Sequence, residues 1–292
     1  MVLGEINAAV SLIERLSRWL SRKAPPETVA GRFVRLFEAH GVHRNQISRL
    51  IGHGLTLALL QSDQALIPAL SDELLDSAAS LFAIRREWLD GASDQIYPLH
   101  DFYKQPEAFV EFIQGLRGQE TGNLRGVVFS SSSKRHEETA LVVLEEEMGA
   151  VGNQAIHRYY FCHNWFFNYW KSRAYLAACV ASAWKRDINL MGREVPIAFI
   201  RKYSNGTRFL EYRLDGALPN DGMPWYPEDM ALKPAHFLKG FDAHEEDADR
   251  LGLSLWLDLE SRGLMDTELP YTAVREAFEA ALRRTSPATP SP

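Results

Sequence analysis

The feature that most constrains the fold is a series of short apolar segments in residues 28–91, each of which ends near a glycine or a proline. Glycine ends helices because it adopts the left-handed conformation easily, and proline cannot continue a helix. Gly41, Gly52 and Pro68 divide the region, Gly91 ends it, and Trp88-Leu89 closes a short last helix. Ser71 can cap a helix after Pro68, since its hydroxyl can accept a hydrogen bond from a first-turn N–H group. The spacing predicts five short helices in one all-α domain over residues 27–92.

The segments that flank this domain differ from it in composition. In residues 1–26 the apolar residues follow a 3-4 spacing, which predicts a helical arm that Pro25-Pro26 ends. Residues 93–106 are predicted to form a linker. Residues 286–292 form a stretch of Pro, Ser, Thr and Ala with nothing to bury, so we expect a disordered tail.

From residue 107 onward, strand patterns join the helical ones. Segments 126–129, 140–144 and 155–162 are rich in β-branched and aromatic residues, which favours strands. A long helix is predicted over 165–187, apolar around most of its circumference and therefore buried. The other predicted elements are a helix over 107–116, strands over 195–203 and 208–214 joined by a turn at Ser204-Asn205-Gly206, and helices over 243–262 and 271–284. Residues 107–285 therefore predict an α+β domain, with an antiparallel sheet packed on the long helix and with C-terminal helices.

Composition excludes several classes of protein. The 292 residues include 32 basic and 38 acidic ones, a net charge of −6, so the chain is not a wholly basic nucleic-acid coat protein. No apolar run approaches the roughly 18 residues of a membrane span. Two cysteines, Cys162 and Cys179, make no disulfide framework. Together with a start that lacks the features of a secretory signal, these observations predict a cytoplasmic protein with no membrane partner.

The charge is distributed in blocks. Residues 1–49 carry eight basic and four acidic residues, whereas residues 50–84 contain four acids and no Lys or Arg. Residues 117–216 again have a net charge of +4, and residues 219–292 have a net charge of −7. Because basic clusters supply most sequence-independent attraction to nucleic acids, a polyanion would meet the first or the third block. The alternative is that these blocks are ordinary solvated faces.

Several short motifs in the helical region occur at a characteristic spacing. They are Gly41-Val42-His43 before the second helix, His53-Gly54 at the turn, Pro68 before the fourth helix, and the ending Trp88-Leu89-Asp90-Gly91. In this combination, residues 28–91 resemble the lambda-repressor-like (Cro/repressor, XRE-type) helix-turn-helix family. The resemblance covers about a fifth of the chain and implies a DNA-binding fold, with residues 55–64 as the recognition helix.

The resemblance also implies which residues would contact DNA. Arg44 occupies the family's usual phosphate-contact position, with Gln46 and Arg49 close by, and Arg32 and Arg35 on the first helix could add phosphate contacts. The candidates for reading bases are Thr56, Gln61 and Gln64. The sequence departs from the family at the other base-reading positions, which are apolar: Leu55, Leu57 and Leu60.

Two functions are consistent with the resemblance and with the apolar residues at the base-reading positions. The first is a DNA-binding transcriptional regulator, a homodimer on double-stranded DNA, whose α+β domain senses a ligand or mediates dimerisation. The second is a protein–protein interaction adaptor whose degenerate helix-turn-helix does not read DNA.

An aromatic cluster in residues 159–175 suggests where a small-molecule effector would bind. Five of its members are candidates for lining a pocket: Tyr159, Phe161, Trp165, Tyr169 and Trp170. The alternative is that these side chains form an ordinary core between sheet and helix, since aromatics dominate many cores.

Metal and catalytic signatures are weak. His157, Cys162 and His163 lack the regular spacing of a metal site, since Cys162 and His163 would face opposite sides of a strand. Ser131 and Lys134 match Ser-x-x-Lys, but a serine-rich turn gives this match by chance. The acids of 145–147 are expected at a strand's exposed end. We therefore expect no catalytic residues, no metal and no cofactor, with an unrecognised enzymatic site as the remaining alternative.

Overall fold

The computed structural model describes residues 27–117, 123–131, 138–210, 222–242 and 245–285. The predicted arm of residues 1–26 and the predicted tail of residues 286–292 lie outside the described residues. The described chain begins with a helical region over residues 29–89 and continues as a mixed six-stranded sheet with helices. The α+β fold class is therefore confirmed in this coarse form. Among the described residues, no helix combines the length and the apolar character needed to cross a bilayer.

The helical region consists of short helices, and side-chain caps set the starts of three of them. Its helices are α1 (Val29–Ala39), α2 (Ile47–Leu50), α3 (Asp63–Leu66), α4 (Asp72–Leu81) and α5 (Arg86–Leu89). The Thr28 hydroxyl accepts a hydrogen bond from the Gly31 N–H at 3.0 Å, which caps α1. The Ser71 hydroxyl accepts one from the Leu74 N–H at 3.3 Å, so the predicted cap of α4 is confirmed.

The segment expected to form one helix over residues 55–64 is broken in the structure. A 3-10 turn at Leu59–Gln61 is followed by α3 and by a second 3-10 turn at Ile67–Ala69. The break falls at Ser62, whose backbone is extended and whose hydroxyl accepts a hydrogen bond from the Ala65 N–H at 3.2 Å. A serine that caps a new helix in this way competes with continuation of the old one.

The sheet contains parallel as well as antiparallel pairs, so the prediction of an antiparallel sheet is wrong. Its strands are β1 (Leu99–Asp101), β2 (Leu124–Ser130), β3 (Thr139–Val151), β4 (Gln154–Phe166), β5 (Leu190–Glu194) and β6 (Met223–Trp225). They lie in the order β1-β4-β3-β2-β5-β6. Strands β2, β3 and β4 form an antiparallel meander, whereas β5 is parallel to β2 and β1 is parallel to β4. Antiparallel β6 pairs with β5 at the other edge.

The strands predicted over 126–129, 140–144 and 155–162 are confirmed within β2, β3 and β4, but the later strands are not where they were expected. Residues 197–203 form helix α8 (Ile197–Tyr203), which Pro196 precedes at the N-cap, and the strand lies just before it as β5. Residues 208–210 form no strand, and residues 211–214 lie outside the described residues. Strand β1 lies in the predicted linker, where its three residues pair with β4.

Helices cover both faces of the sheet, which explains the long apolar runs in β2 and β3. On one face, the sheet packs against the helical region. The core on the other face includes residues of α6 (Pro106–Arg117), α7 (Trp170–Trp184), α9 (Asp229–Leu232), α10 (Pro234–Leu238), α11 (Ala248–Ser261) and α12 (Val274–Thr285). Eleven of the fifteen residues of α7 are buried, so the prediction of a buried helix here is confirmed, with shorter bounds.

The helical region and the sheet share one hydrophobic core. Phe33, Phe37 and Phe82 belong to the same buried cluster as Phe129 and Phe161 of the sheet. This contact fixes the first helices against the sheet and the loop after α8.

Two adjacent acids of β3 are buried, contrary to the expectation that they lie at an exposed strand end. The Glu146 carboxylate accepts hydrogen bonds from Arg158 at 2.7 and 3.0 Å and from the Tyr160 hydroxyl at 2.6 Å. Glu145, on the opposite face of β3, pairs with Arg125 at 2.7 Å. Cross-strand partners therefore satisfy the Glu146 carboxylate, whereas Oε1 of Glu145 is buried without a hydrogen-bond partner among the described residues.

Candidate functional site

A groove of about 670 Å³ lies where the helical region meets the loop after α8. We call it the basic groove, and the residues that line it are Arg32, Arg35, Trp88, Asp94, Ile96, Lys202, Thr207, Arg208 and Phe209. Four of these are cations, and Asp94 is the one acid among the described residues that line the groove. The groove thus joins two cations of the first basic block with two of the third.

Packing on aromatic rings and backbone groups holds the two arginines from α1. Arg32 donates a hydrogen bond to the backbone oxygen of Trp88 at 2.9 Å. The guanidinium of Arg35 lies over the rings of Trp88 and Phe209, 5.1 and 5.8 Å from their centroids. Arg35 also forms an ion pair with Glu27 at 2.7 Å. These contacts fix the two guanidinium groups beside each other on one wall.

A tight turn lies between the other two cations of the groove, Lys202 and Arg208. Gly206 has a φ of +68°, and a Cβ there would lie 2.7 Å from the backbone oxygen of Tyr97. The Gly206 backbone oxygen accepts hydrogen bonds from the N–H groups of Ile96 and Tyr97 at 2.8 and 3.0 Å. The turn that the sequence predicted at 204–206 is therefore present, but it follows a helix rather than joining two strands. It holds the exposed side chains of Lys202 and Arg208 at the groove.

The residues that the resemblance assigned to phosphate contacts divide into two groups. Arg32 and Arg35 line the basic groove, whereas Arg44, Gln46 and Arg49 lie elsewhere on the helical region. Arg44 donates to the backbone oxygen of Leu60 at 2.5 Å and pairs with Asp63 at 2.8 Å. The Gln46 side chain accepts a hydrogen bond from the His43 N–H at 3.0 Å. Arg49 is exposed.

The candidates for reading bases are exposed, but the broken segment presents them from turns. The Gln61 side chain donates to the backbone oxygen of Leu57 at 3.2 Å, and the Thr56 hydroxyl accepts from the Leu59 N–H at 3.4 Å. Gln64 is exposed in α3. Leu55 is buried, so this position packs in the core instead of contacting a base.

The structure does not gather the five candidate pocket aromatics around one cavity. Tyr159 and Phe161 pack toward the helical region, whereas Trp165 belongs to the core on the other face of the sheet. Tyr169 and Trp170 lie half-buried at the start of α7, with ring centroids 5.8 Å apart. None of the five lines the basic groove or the cavity at the carboxyl ends of β2 and β5.

The second cavity, of about 450 Å³, lies at the carboxyl ends of parallel strands β2 and β5. We call it the sheet-end pocket. Its lining includes the acids Glu138, Glu194 and Asp229, the cations Arg173 and Lys239, and the aromatic residues Phe167, Trp225 and Tyr226. Ligands of sheets with parallel strands bind preferentially outside these ends.

Arg173 is the most unusual residue of this pocket, because this charged residue is only 2 % exposed. It donates hydrogen bonds to the backbone oxygens of Phe167 at 2.5 Å and Lys239 at 3.0 Å. It also lies over the Phe167 ring, 3.7 Å from its centroid. Burial lowers the pKa of Arg173 to about 10, which Glu138 opposes by its charge, so the group stays charged at neutral pH.

Sequence reasoning missed Lys202, Arg208 and the whole sheet-end pocket. Lys202 and Arg208 had no signal beyond their position in a basic block. Arg173 did have one, since it is the sole charged residue in an otherwise apolar or small stretch over 172–184. No group of His, Cys, Asp and Glu side chains in the described residues is arranged to hold a metal ion.

Comparison with known proteins gives no further constraint on this site. No family model, no curated protein and no solved structure matches the chain.

Proposed function

We propose that the chain is a DNA-binding transcriptional regulator that contacts phosphates of double-stranded DNA through the basic groove. The observation that carries the proposal is the meeting of Arg32 and Arg35 with Lys202 and Arg208 in one groove, with a single lining acid among the described residues. Arginine and lysine neutralise phosphates and release counterions, which is the main source of sequence-independent affinity.

The basic groove supports phosphate contacts better than the expected recognition segment does. Arg44 is engaged with Asp63 and with a backbone oxygen, and residues 55–64 form no continuous helix that could lie in a major groove. Phosphate contacts position a protein on the duplex without reading its sequence. Sequence preference would then come from Thr56, Gln61 and Gln64, which lie exposed on the same helical region.

Fluorescence anisotropy with a labelled duplex at two salt concentrations tests the proposal. We expect the affinity to fall steeply with salt, because each phosphate contact adds a slope of about −0.9 in log K against log salt. Arg208→Glu should weaken binding about tenfold at low salt and reduce that slope by at least about 1. The matched control is Arg284→Glu, which makes the same charge change at an exposed position of α12.

Two results would contradict the groove as the contact surface. One is wild-type protein that leaves the anisotropy of the duplex unchanged at low salt. The other is a loss of affinity in Arg284→Glu as large as that in Arg208→Glu, since binding would then follow net charge alone.

A second function, the protein–protein adaptor, has one observation in its favour. Leu57 is 55 % exposed within the segment where a recognition helix was expected, and Ile67, just after that segment, is 52 % exposed. Exposed apolar side chains in one region favour a protein partner. The adaptor is favoured if the wild-type protein does not bind DNA and if the double variant Leu57→Ser, Ile67→Ser has a different sedimentation mass.

A further inference from the structure

We propose that the sheet-end pocket binds a small aromatic zwitterion of the α-amino-acid class, with its carboxylate on Arg173 and its ammonium group held by Glu194. This site is distinct from the basic groove, and its test uses the protein without nucleic acid. Failure of one proposal is therefore distinguishable from failure of the other.

Two buried hydrogen-bond donors of the pocket lack acceptors among the described residues. They are Nη2 of Arg173 and Nε1 of Trp225. Arg173 is otherwise held by backbone oxygens, and the described residues give it no carboxylate within ion-pair distance. A buried charge without a counter-ion is costly, and a carboxylate is the anion that best matches a guanidinium. A ligand carboxylate would supply the missing acceptor.

The charges around the pocket favour a neutral zwitterion over a phosphate. Arg173 and Lys239 are matched by Glu138 and Glu194. The third acid, Asp229, already pairs with Lys233 at 2.8 Å and lies 3.3 Å from His236. A doubly charged phosphate would add negative charge beside three carboxylates, whereas an α-amino acid leaves the balance unchanged. Its ammonium group also provides donors for Glu194, which is an exposed residue of the pocket lining.

The volume and apolar lining of the pocket favour an aromatic side chain. The cavity of about 450 Å³ lies within the usual range for small-ligand sites. Phe167, Trp225 and Tyr226 contribute aromatic surface to the lining, and Met230 adds an apolar contact. The ring of Phe167 already stacks on the guanidinium of Arg173, which brings the apolar wall next to the charged group.

Isothermal titration calorimetry with phenylalanine, tyrosine and tryptophan tests the proposal, followed by matched analogues of the tightest binder. For phenylalanine these are 3-phenylpropionate, which lacks the ammonium group, and phenethylamine, which lacks the carboxylate. We expect each analogue to bind about tenfold more weakly than the amino acid, because each loses one charge-assisted contact. No binding by any of the three amino acids would overturn the proposal, as would phenethylamine binding as tightly as phenylalanine.

Variants assign the two ends of the ligand. Arg173→Lys should lose affinity for the amino acid and for 3-phenylpropionate, but it also loses backbone contacts that hold the fold. Glu194→Gln avoids this problem because Glu194 is exposed. It should weaken binding of the amino acid about tenfold and leave binding of 3-phenylpropionate unchanged. Glu276→Gln, an exposed control on α12, should change neither, and equal losses in both variants would exclude this pocket as the binding site.

Discussion

The imidazole of His40 in the helical region stacks on the phenol ring of Tyr159 in the sheet, with centroids 5.9 Å apart and an interplanar angle of 25°. His40 Nδ1 donates a hydrogen bond to the backbone oxygen of Leu36 at 2.7 Å. The other ring nitrogen, Nε2, lies 3.5 Å from the hydroxyl of Tyr97 and can accept from it. A neutral histidine thus joins the two parts of the molecule within an aromatic cluster.

We predict that His40 makes the protein less stable as the pH falls from 6.5 to 4. Burial lowers the pKa of His40 from 6.5 to about 4, so the unfolded chain binds this proton at a higher pH than the folded one. The unfolded state therefore gains protons across this window, and the free energy of unfolding falls by about 3 kcal/mol. Urea unfolding of wild type and His40→Phe at several pH values measures the difference. If the free energy of unfolding changed with pH equally in both proteins, the prediction would be contradicted.

We predict that Glu146→Gln lowers the free energy of unfolding by about 3 kcal/mol, because it removes the carboxylate partner of the buried Arg158. Glu147→Gln in the same strand is the matched control, since Glu147 is only half-buried, and it should change the stability by less than about 0.5 kcal/mol. Chemical unfolding monitored by circular dichroism gives both values. Similar losses for the two variants would mean that the buried pair has no special effect.

We predict opposite effects for alanine at two glycines. A Cβ at Gly126 in β2 would lie 2.7 Å from the backbone oxygen of Val143, so Gly126→Ala should destabilise the protein by about 1–3 kcal/mol. A Cβ at Gly115 in α6 meets no atom within 4 Å among the described residues. Gly115→Ala should stabilise by about 0.5–1 kcal/mol, because alanine loses less backbone entropy in a helix. Thermal unfolding compares them, and a loss in Gly115→Ala would show that this helix face is covered.

We predict that the native protein resists thiol reagents at neutral pH. Cys162 and Cys179 are both buried, and burial raises the pKa of each thiol above its usual value of 9. Because the thiolate is the reactive form, both thiols should react only after the chain opens. Ellman's reagent should give slow colour development in buffer and complete reaction in urea. Rapid reaction of either thiol in the native protein would place that cysteine near solvent.

We predict that Arg44→Ala affects stability and that Arg49→Ala does not. Arg44 holds the segment before α3 through the backbone oxygen of Leu60 and the carboxylate of Asp63, so its loss should cost about 1 kcal/mol. Arg49 is exposed, and removing it should change the free energy of unfolding by less than about 0.5 kcal/mol. If both variants bind DNA more weakly on every sequence, phosphates are contacted at this face as well as in the basic groove.

Helix caps and apolar periodicity in the sequence predicted those helices and strands that are determined by a few neighbouring residues. The cap at Ser71, the apolar strands of the meander and the buried helix α7 all follow from hydrogen bonding or periodicity over a few residues. The short strands β1, β5 and β6 carry no such signal, because three to five residues show too little alternation to distinguish a strand from a loop. Their pairing with distant strands makes them strands.

The candidate sites show the same division. Sequence reasoning selected Arg32 and Arg35, but the groove also needs Lys202 and Arg208, which lie far away in the chain. It selected Tyr159 and Phe161 for a pocket because they are aromatic, but both side chains are buried in the core. Arg173 was not selected, since its burial against backbone oxygens of distant residues is a property of the folded chain.

The sequence by itself determined a helical region followed by an α+β part, because helix caps, chain breaks and apolar periodicity act over a few neighbouring residues. Only the tertiary structure decided that the sheet is mixed, that helices cover both its faces, and where cations and acids meet in cavities. The physical reason is that these outcomes depend on contacts between residues distant in sequence, whose free energy is gained only when the core assembles.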